Sequence, residues 1–269
     1  MTKTQRFPRR LFQRINRYVR IAGTGFSFFL FGLGGLLLRM LVFPVLNLAI
    51  QNRLRKISLA RSIIRLAFLC FVKIMHFLGV LRYETSGLER LQRKGLLILA
   101  NHPTLIDTVF LMAFVRHADC IVKQSLWNHP VTRGPVRSAA YISNQNGPGL
   151  IDDCLTSLAN RNNLIVFPEG TRTPPDGKMQ FKRGAANVAV RSRCNITPVL
   201  IRCRPPTLGK GNKWWKVPPT VARFTIAVQE DIAIDEFLQN GVSETLAARH
   251  LTEYLQNYFM KATLGHAAV

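Results

Sequence analysis

Two short stretches hold side chains able to do chemistry. In "LLILANHPTLIDTVFL", residues 96–111, an apolar run ends at Asn101, His102 and Pro103, and Asp107 follows inside the next apolar run. In open α/β sheets, ligand sites gather where strands end and helices begin, so a His at the end of a buried strand is well placed. His102 and Asp107 are five positions apart, whereas neighbours on one helix face are three or four apart. The pair must therefore meet through a turn, which Pro103 favours. So arranged, the carboxylate would hold one imidazole nitrogen, fixing the tautomer and stabilising the cation. The other nitrogen would be free to take a proton from a substrate hydroxyl.

The second stretch, "LIVFPEGTRT" at 164–173, is again an apolar strand ending in a charged turn, with Glu169, Gly170, Thr171 and Arg172. Gly170 lets the backbone approach a ligand closely. Thr171 and nearby N–H groups suit oxyanions, and the Arg172 guanidinium is a natural fork for phosphate. An ordinary solvated turn would not explain why both charged turns terminate the most apolar strands. A third cluster, "QFKRGAANVAV" at 180–190, sets Lys182 and Arg183 at an expected helix start, which together with adjacent cations makes an anion site.

Positioning these residues requires strands and helices in alternation. Residues 96–100, 120–123, 164–167, 196–202 and 223–228 read as strands, and 105–116, 149–161, 183–193 and 243–262 as helices. In the last helix Leu246, His250, Leu251, Tyr254, Leu255 and Tyr258 fall on one face. The expected fold is α/β, a mixed and largely parallel sheet flanked by helices. Five scattered cysteines without a CxxC pair suggest neither a disulfide framework nor a zinc site, and no metal site is expected. Free thiols of this kind fit a domain in reducing cytosol.

The charge is extreme. With 37 basic and 14 acidic residues the chain carries a net +23, and the 15 basic residues before Glu84 face no acidic one. That basic third is also the most apolar. Residues 21–50 contain Arg39 as their only charge, and Ile21 to Leu38 is an uninterrupted run of 18 residues, near the ~20 that span a bilayer. Basic charge around an apolar segment points to an anionic membrane surface rather than to nucleic acid. Both flanks of the segment are basic, with Arg53, Arg55, Lys56, Arg61 and Arg65 on the far side. A helical hairpin or re-entrant pair, bent near Arg39 or Pro44, keeps both flanks on the cytoplasmic side, which a single span does not. Residues 57–81, with Ser58 as a possible cap, read as a basic amphipathic helix, either in the headgroup plane or packed on the domain. The division is 1–83, a membrane-embedded helical segment, and 84–269, the globular domain.

"NHPTLID" and "FPEGTR" resemble the two hallmark motifs of the glycerolipid acyltransferase superfamily, with "ITPVLI" at 196–201 similar to its last block. The likeness covers roughly residues 84–205 and is nearest to the PlsC-like bacterial 1-acylglycerol-3-phosphate acyltransferases. It implies transfer of an acyl group from acyl-CoA or acyl carrier protein to a lipid hydroxyl, without metal or prosthetic group. His102 would be the general base and Asp107 its orienting partner. Glu169, Gly170, Thr171 and Arg172 would bind the acceptor, with Lys182 and Arg183 beside them. The protein would sit in a bacterial inner membrane with its catalytic domain facing the cytoplasm, in contact with membrane lipids and not with nucleic acid.

Where the family has a Gly-x-x-Phe-Ile-acid-Arg block, this chain reads "SAAYISNQNG" at 138–147, with Ser143 and Asn144 at the acid and Arg positions. That leaves room for acceptors other than lysophosphatidic acid, such as another lysophospholipid, an ornithine-type lipid or a polyene lipid. Lys123, Arg133 or Arg137 could supply the missing cation. A non-enzymatic cationic module that merely binds lipid is the alternative of another class. In "LGKGNKWWKVPP", residues 208–219, Trp214 and Trp215 among lysines suit either a membrane interface or a packed pair.

Overall fold

The computed structural model describes residues 6–145, 147, 149–239 and 241–264; residues 1–5 of the basic leader and Asn146 of the "SAAYISNQNG" stretch lie outside them. Seven strands form one sheet: β1 (Leu81–Ser86), β2 (Leu97–Ala100), β3 (Ala118–Val122), β4 (Ile142–Ser143), β5 (Asn163–Val166), β6 (Ile196–Arg204) and β7 (Ala222–Val228). Their spatial order is β1-β7-β6-β2-β5-β3-β4. All neighbours pair parallel except β6 and β7, which are antiparallel. The mixed, largely parallel sheet is therefore as expected from the alternation. Its unmarked members are β1, whose "LRYETS" has one buried residue and lacks an apolar run, and the two-residue β4. A boundary drawn between residues 83 and 84 falls inside β1.

Helices cover both faces of the sheet, as parallel strands require. Successive side chains of a strand point to opposite faces. Ile98, Ala100 and Ile165 accordingly pack with α3 (Arg53–Phe77) and α4 (Asp107–Phe114). Leu97, Leu99, Leu164 and Val166 pack instead with α7 (Gly149–Ala159), α8 (Gly184–Ser192) and α9 (Glu244–Leu264). Two short helices, α5 (Gln124–Asn128) and α6 (Arg133–Ser138), lie between β3 and β4. The buried stripe of α9 is Ala247, Ala248, Leu251, Leu255 and Phe259. It is rotated from the expected face, so that Leu246, His250 and Tyr254 are exposed: small alanines let the helix approach α8 where Leu246 would hold it off.

The hairpin expected within residues 21–50, bent at Arg39 or Pro44, is not there: residues 21–49 run on as one helix, which pairs instead with α3 as a wider hairpin. Helix α1 (Arg6–Leu37) runs through a π-turn (Leu38–Val42) into α2 (Phe43–Ala49), and the chain reverses only at residues 50–52. Pro44 sits at the start of α2, where its missing donor is accommodated by the widened turn: the Phe43 N–H bonds to Leu38 O, five residues back. Arg39 is tolerated because its guanidinium donates to the Pro130 carbonyl of the globular domain. The cap of α3 is Asn52, whose side chain accepts from the Arg55 N–H, rather than Ser58. Phe31 of α1 stacks on Phe68 at 6.0 Å and meets Phe71 edge-on at 5.2 Å, closing the hairpin. Residues 14–49 form a helix long and apolar enough to cross a membrane, with most of its surface unburied by the rest of the chain.

Helix α3 is also a core element. It buries Ile64, Phe71, Val72 and Met75, and its Arg61, counted by sequence among the flanking cations, is buried as well. The Arg61 guanidinium donates to Asp119 Oδ2 of β3 at 2.7 Å and to Ala139 O at 3.0 Å. Burial pushes the Asp119 carboxyl up, while Arg61 and the Ser157 hydroxyl pull it back. Breaking a buried pair strands a charge. Arg61→Ala is expected to lose about 3–5 kcal/mol. Arg61→Met combined with Asp119→Asn should recover a large part of that loss in thermal unfolding of the detergent-solubilised protein.

Candidate active site

Strands β2 and β5 are neighbours in register, Leu97 opposite Leu164 and Leu99 opposite Val166. Their C-terminal ends therefore emerge side by side and bring "NHPTLID" onto "FPEGTR". The two turns are then stitched together. Glu169 Oε1 accepts from the His102 N–H at 3.0 Å and from the Thr173 hydroxyl at 2.8 Å, and the Thr173 N–H donates to His102 O at 2.7 Å. The imidazole of His102 lies flat on Phe167, with centroids 4.3 Å apart and planes 24° from parallel.

Asp107 is fully buried and organises the first turn. Its Oδ2 lies 3.0 Å from His102 Nδ1 and accepts from the Thr104 N–H at 2.6 Å, while Oδ1 accepts from the Thr104 hydroxyl at 2.5 Å. Both Thr104 groups therefore donate to Asp107, the first residue of α4, and the carboxylate ties the turn to the helix start. It explains the spacing of five: Asp107 reaches back over the turn to Thr104, and the His two residues before Thr104 shares the carboxylate. Burial pushes the Asp107 carboxyl up, and the hydrogen bonds from His102 and Thr104 oppose that. With Nδ1–H donating to Asp107, the lone pair of the second imidazole nitrogen, Nε2, is left for a substrate proton.

The other sequence-derived residues have diverse placements. Glu169 is 3% exposed and braces the two turns; its Oε2 is buried without a partner among the described residues. Burial raises its carboxyl, partly offset by the His102 N–H and the Thr173 hydroxyl. Gly170 has φ +64°, and a Cβ there would come within 3.1 Å of the Lys182 ammonium, so this glycine both makes the turn and admits Lys182. Thr171 is half-buried. Arg172 does not project freely: its Nη1 donates to Leu208 O at 3.1 Å and Gly209 O at 2.9 Å. Lys182 and Arg183 are exposed at the start of α8.

At the divergent block, Ser143 donates to Gln124 Oε1 at 2.9 Å and Asn144 Oδ1 accepts from the Gln124 N–H at 3.0 Å. A neutral network that starts α5 thus occupies the acid and Arg positions. Lys123, Arg133 and Arg137 are exposed nearby in the chain, before α5 and on α6.

Sequence reasoning missed Asn101, Thr104, Phe167 and Thr173. For Thr104 the signal was available as Thr-x-x-Asp before an apolar run. For Asn101 there was none. Its amide imitates a backbone unit, donating to Ile201 O and accepting from Ile201 N–H, both at 2.8 Å, and so extends the β2–β6 pairing beyond the strand. Asn101→Ala would leave both groups of Ile201 buried and unpaired, and a loss of about 2–4 kcal/mol is expected. Asn101→Asp, which faces one carbonyl with a carboxylate, should lose more; unfolding midpoints compare the two.

Residues 82–202 match the family model described as "Acyltransferase". A protein named 1-acyl-sn-glycerol-3-phosphate acyltransferase from Pseudomonas aeruginosa is 29% identical over 44% of this chain and 49% of its own length. One of the same name from Saccharomyces cerevisiae is 28% identical over 49% of this chain and 46% of its own. The chain thus spans about half the length of these curated relatives. The crystal structure of the 1-acyl-sn-glycerophosphate (LPA) acyltransferase PlsC from Thermotoga maritima superposes with a TM-score of 0.64, covering 94% of this chain and 98% of that one. At 19% identity this is a likeness of fold, and it includes the N-terminal helices. Residues 82–202 are thus similar to the acyltransferase family model, and the fold as a whole resembles that of PlsC.

Proposed function

We propose that the protein moves a fatty acyl group from acyl-CoA or acyl carrier protein to the hydroxyl of a lysophospholipid-type acceptor, 1-acylglycerol-3-phosphate or a close relative, with His102 as general base. The observation that carries this reading is the buried Asp107 on His102 Nδ1 at 3.0 Å, beside the acceptor-type turn that ends β5. His102 Nε2 takes the acceptor's hydroxyl proton as its oxygen attacks the thioester carbon. The tetrahedral adduct collapses, the C–S bond breaks, and the same nitrogen returns the proton to the departing thiolate. Asp107 holds the tautomer and offsets the transient imidazolium charge. Phe167 fixes the plane of the ring, and Glu169 fixes the backbone that carries it.

Arg172, Lys182 and Arg183, with Gly170 and Thr171, supply the polar and cationic surface for an anionic headgroup. The acceptor and product are lipids, so the 14–49 helix would keep the site at a bilayer, a bacterial inner membrane entered from its cytoplasmic side, where the soluble donor is found. The neutral Ser143–Gln124–Asn144 network favours a second reading of the acceptor alone, a lysophospholipid or amino-acid lipid without a terminal phosphate. No nucleic acid or prosthetic group enters either reading.

Wild type and variants in detergent or lipid, offered labelled acyl-CoA and acyl carrier protein with a panel of lysophosphatidic acid and lysophospholipids, test this directly. His102→Ala is expected to lower turnover by about 10²- to 10⁴-fold, the usual contribution of a positioned base. Asp107→Asn should lower kcat by a comparable factor with little change in KM. Equal product from wild type and His102→Ala would remove His102 from the role of base.

A further inference from the structure

The antiparallel strands β6 and β7 are joined by residues 205–221, a far longer connection than the ~2–5 residues typical of hairpins. Long connections without secondary structure of their own in compact domains are commonly functional. One end of this strap grips the active site: the Leu208 carbonyl accepts from the Leu105 N–H at 3.0 Å, and the Leu208 and Gly209 carbonyls hold Arg172. The other end grips α1. Arg20, 3% exposed, donates to three consecutive carbonyls, Pro218, Pro219 and Thr220, at 2.7–2.9 Å, and Arg17 donates to Val217 O at 3.1 Å. These cations of the N-terminal leader serve the protein rather than lipid headgroups.

Between the two grips, residues 210–216 are exposed without interruption and contain Lys210, Lys213, Trp214, Trp215 and Lys216 but no acidic residue. Trp214 and Trp215 stand edge to face at 5.5 Å and remain 43% and 48% exposed, with the Lys213 ammonium 5.1 Å from the Trp215 ring. Trp214 rests against α1 beside Phe28, over Gly25, where a Cβ would come within 3.1 Å of the ring. Gly25 and Phe28 lie eight residues beyond Arg17 and Arg20, about 12 Å further along the helix axis. At that level α1 also turns outward Phe26 and Phe29, 51% and 62% exposed. The tryptophans are thus continuous with the apolar surface of α1 just where its basic flank gives way.

We propose that the strap is a second lipid contact, which seats Trp214 and Trp215 at headgroup depth in an anionic leaflet. Indole rings favour that depth, and the three lysines meet anionic headgroups beside them. Because the same strap holds Arg172 and Leu105, this contact sets the height of the site above the lipid. The inference rests on the reading that the protein works at a bilayer, and it favours lipid over an acidic protein partner because the patch runs on into the exposed apolar face of α1.

The test uses the full chain in vesicles of phosphatidylcholine and phosphatidylglycerol. Trp127 is the one other tryptophan, so Trp127→Phe leaves emission from the strap alone. Lipids brominated near the glycerol backbone are expected to quench that emission by about half, with iodide in the buffer having little effect. Lys210→Glu/Lys213→Glu/Lys216→Glu should weaken the lipid quenching. Quenching by iodide and not by brominated lipid would overturn the proposal, as would protection that appears only on adding an acidic carrier protein. Should Trp127→Phe fail to fold, the difference between wild type and Trp214→Phe/Trp215→Phe gives the same readout. The measurement needs no substrate, so loss of the acyl-transfer reading and loss of the lipid contact are separate results.

Discussion

The parallel pairing of β2 with β5 is the constraint on which the rest of the molecule depends. Both strands are buried on both faces, and apart from Asn163, which opens β5, neither carries a polar side chain until it ends. Setting them adjacent and in register makes them end together, and the two polar turns meet at one edge of the sheet. Every contact of His102 with Glu169, Phe167 and Thr173 follows from that adjacency. Helix α4 then starts at the same edge, and its first residue, Asp107, supplies the carboxylate for the imidazole. A strand order that interposed β6 between β2 and β5 would keep every local motif and lose the site.

In a chain with so few acidic residues, where the carboxylates go is informative. Asp107, Asp119 and Glu169 are all buried, each at a junction between elements: strand to helix, α3 to β3, and turn to turn. An unpaired buried carboxylate is costly, and each of these accepts at least two hydrogen bonds. They act as directional pins in a core whose other contacts are non-directional. Asn101 does the same without charge. The cost of burial falls where a position must be fixed, beside the His102 imidazole and where the N-terminal helices dock.

That docking makes the N-terminal segment more than a tether. Helix α3 supplies core side chains and the Arg61 pin, while α1 holds the strap between β6 and β7 through Arg17 and Arg20. The apolar surface facing away from the sheet and the polar turns at the sheet edge are therefore parts of one rigid construction. Arg172 is held by the same strap, so this cation at the sheet edge is positioned by a segment that α1 anchors.

Much of this could be read from residue types alone. Apolar runs punctuated by charged turns mark β2, β5 and β6, because burial selects residues locally, and the His and the acid could be seen to need a turn. The basic, apolar first third was equally legible. Other features left no trace, since they arise from pairing between distant segments. The strand order, the polar edge strand β1, the burial of Arg61 and the reversal at residues 50–52 instead of Arg39 or Pro44 are of this kind. Local composition determined which side chains could do chemistry and which segment would be basic and apolar. Only tertiary structure decided that Glu169 braces His102 and that the carbonyls of residues 208 and 209 hold Arg172, because hydrogen bonds across 67 or 36 positions of chain depend on which strands lie side by side.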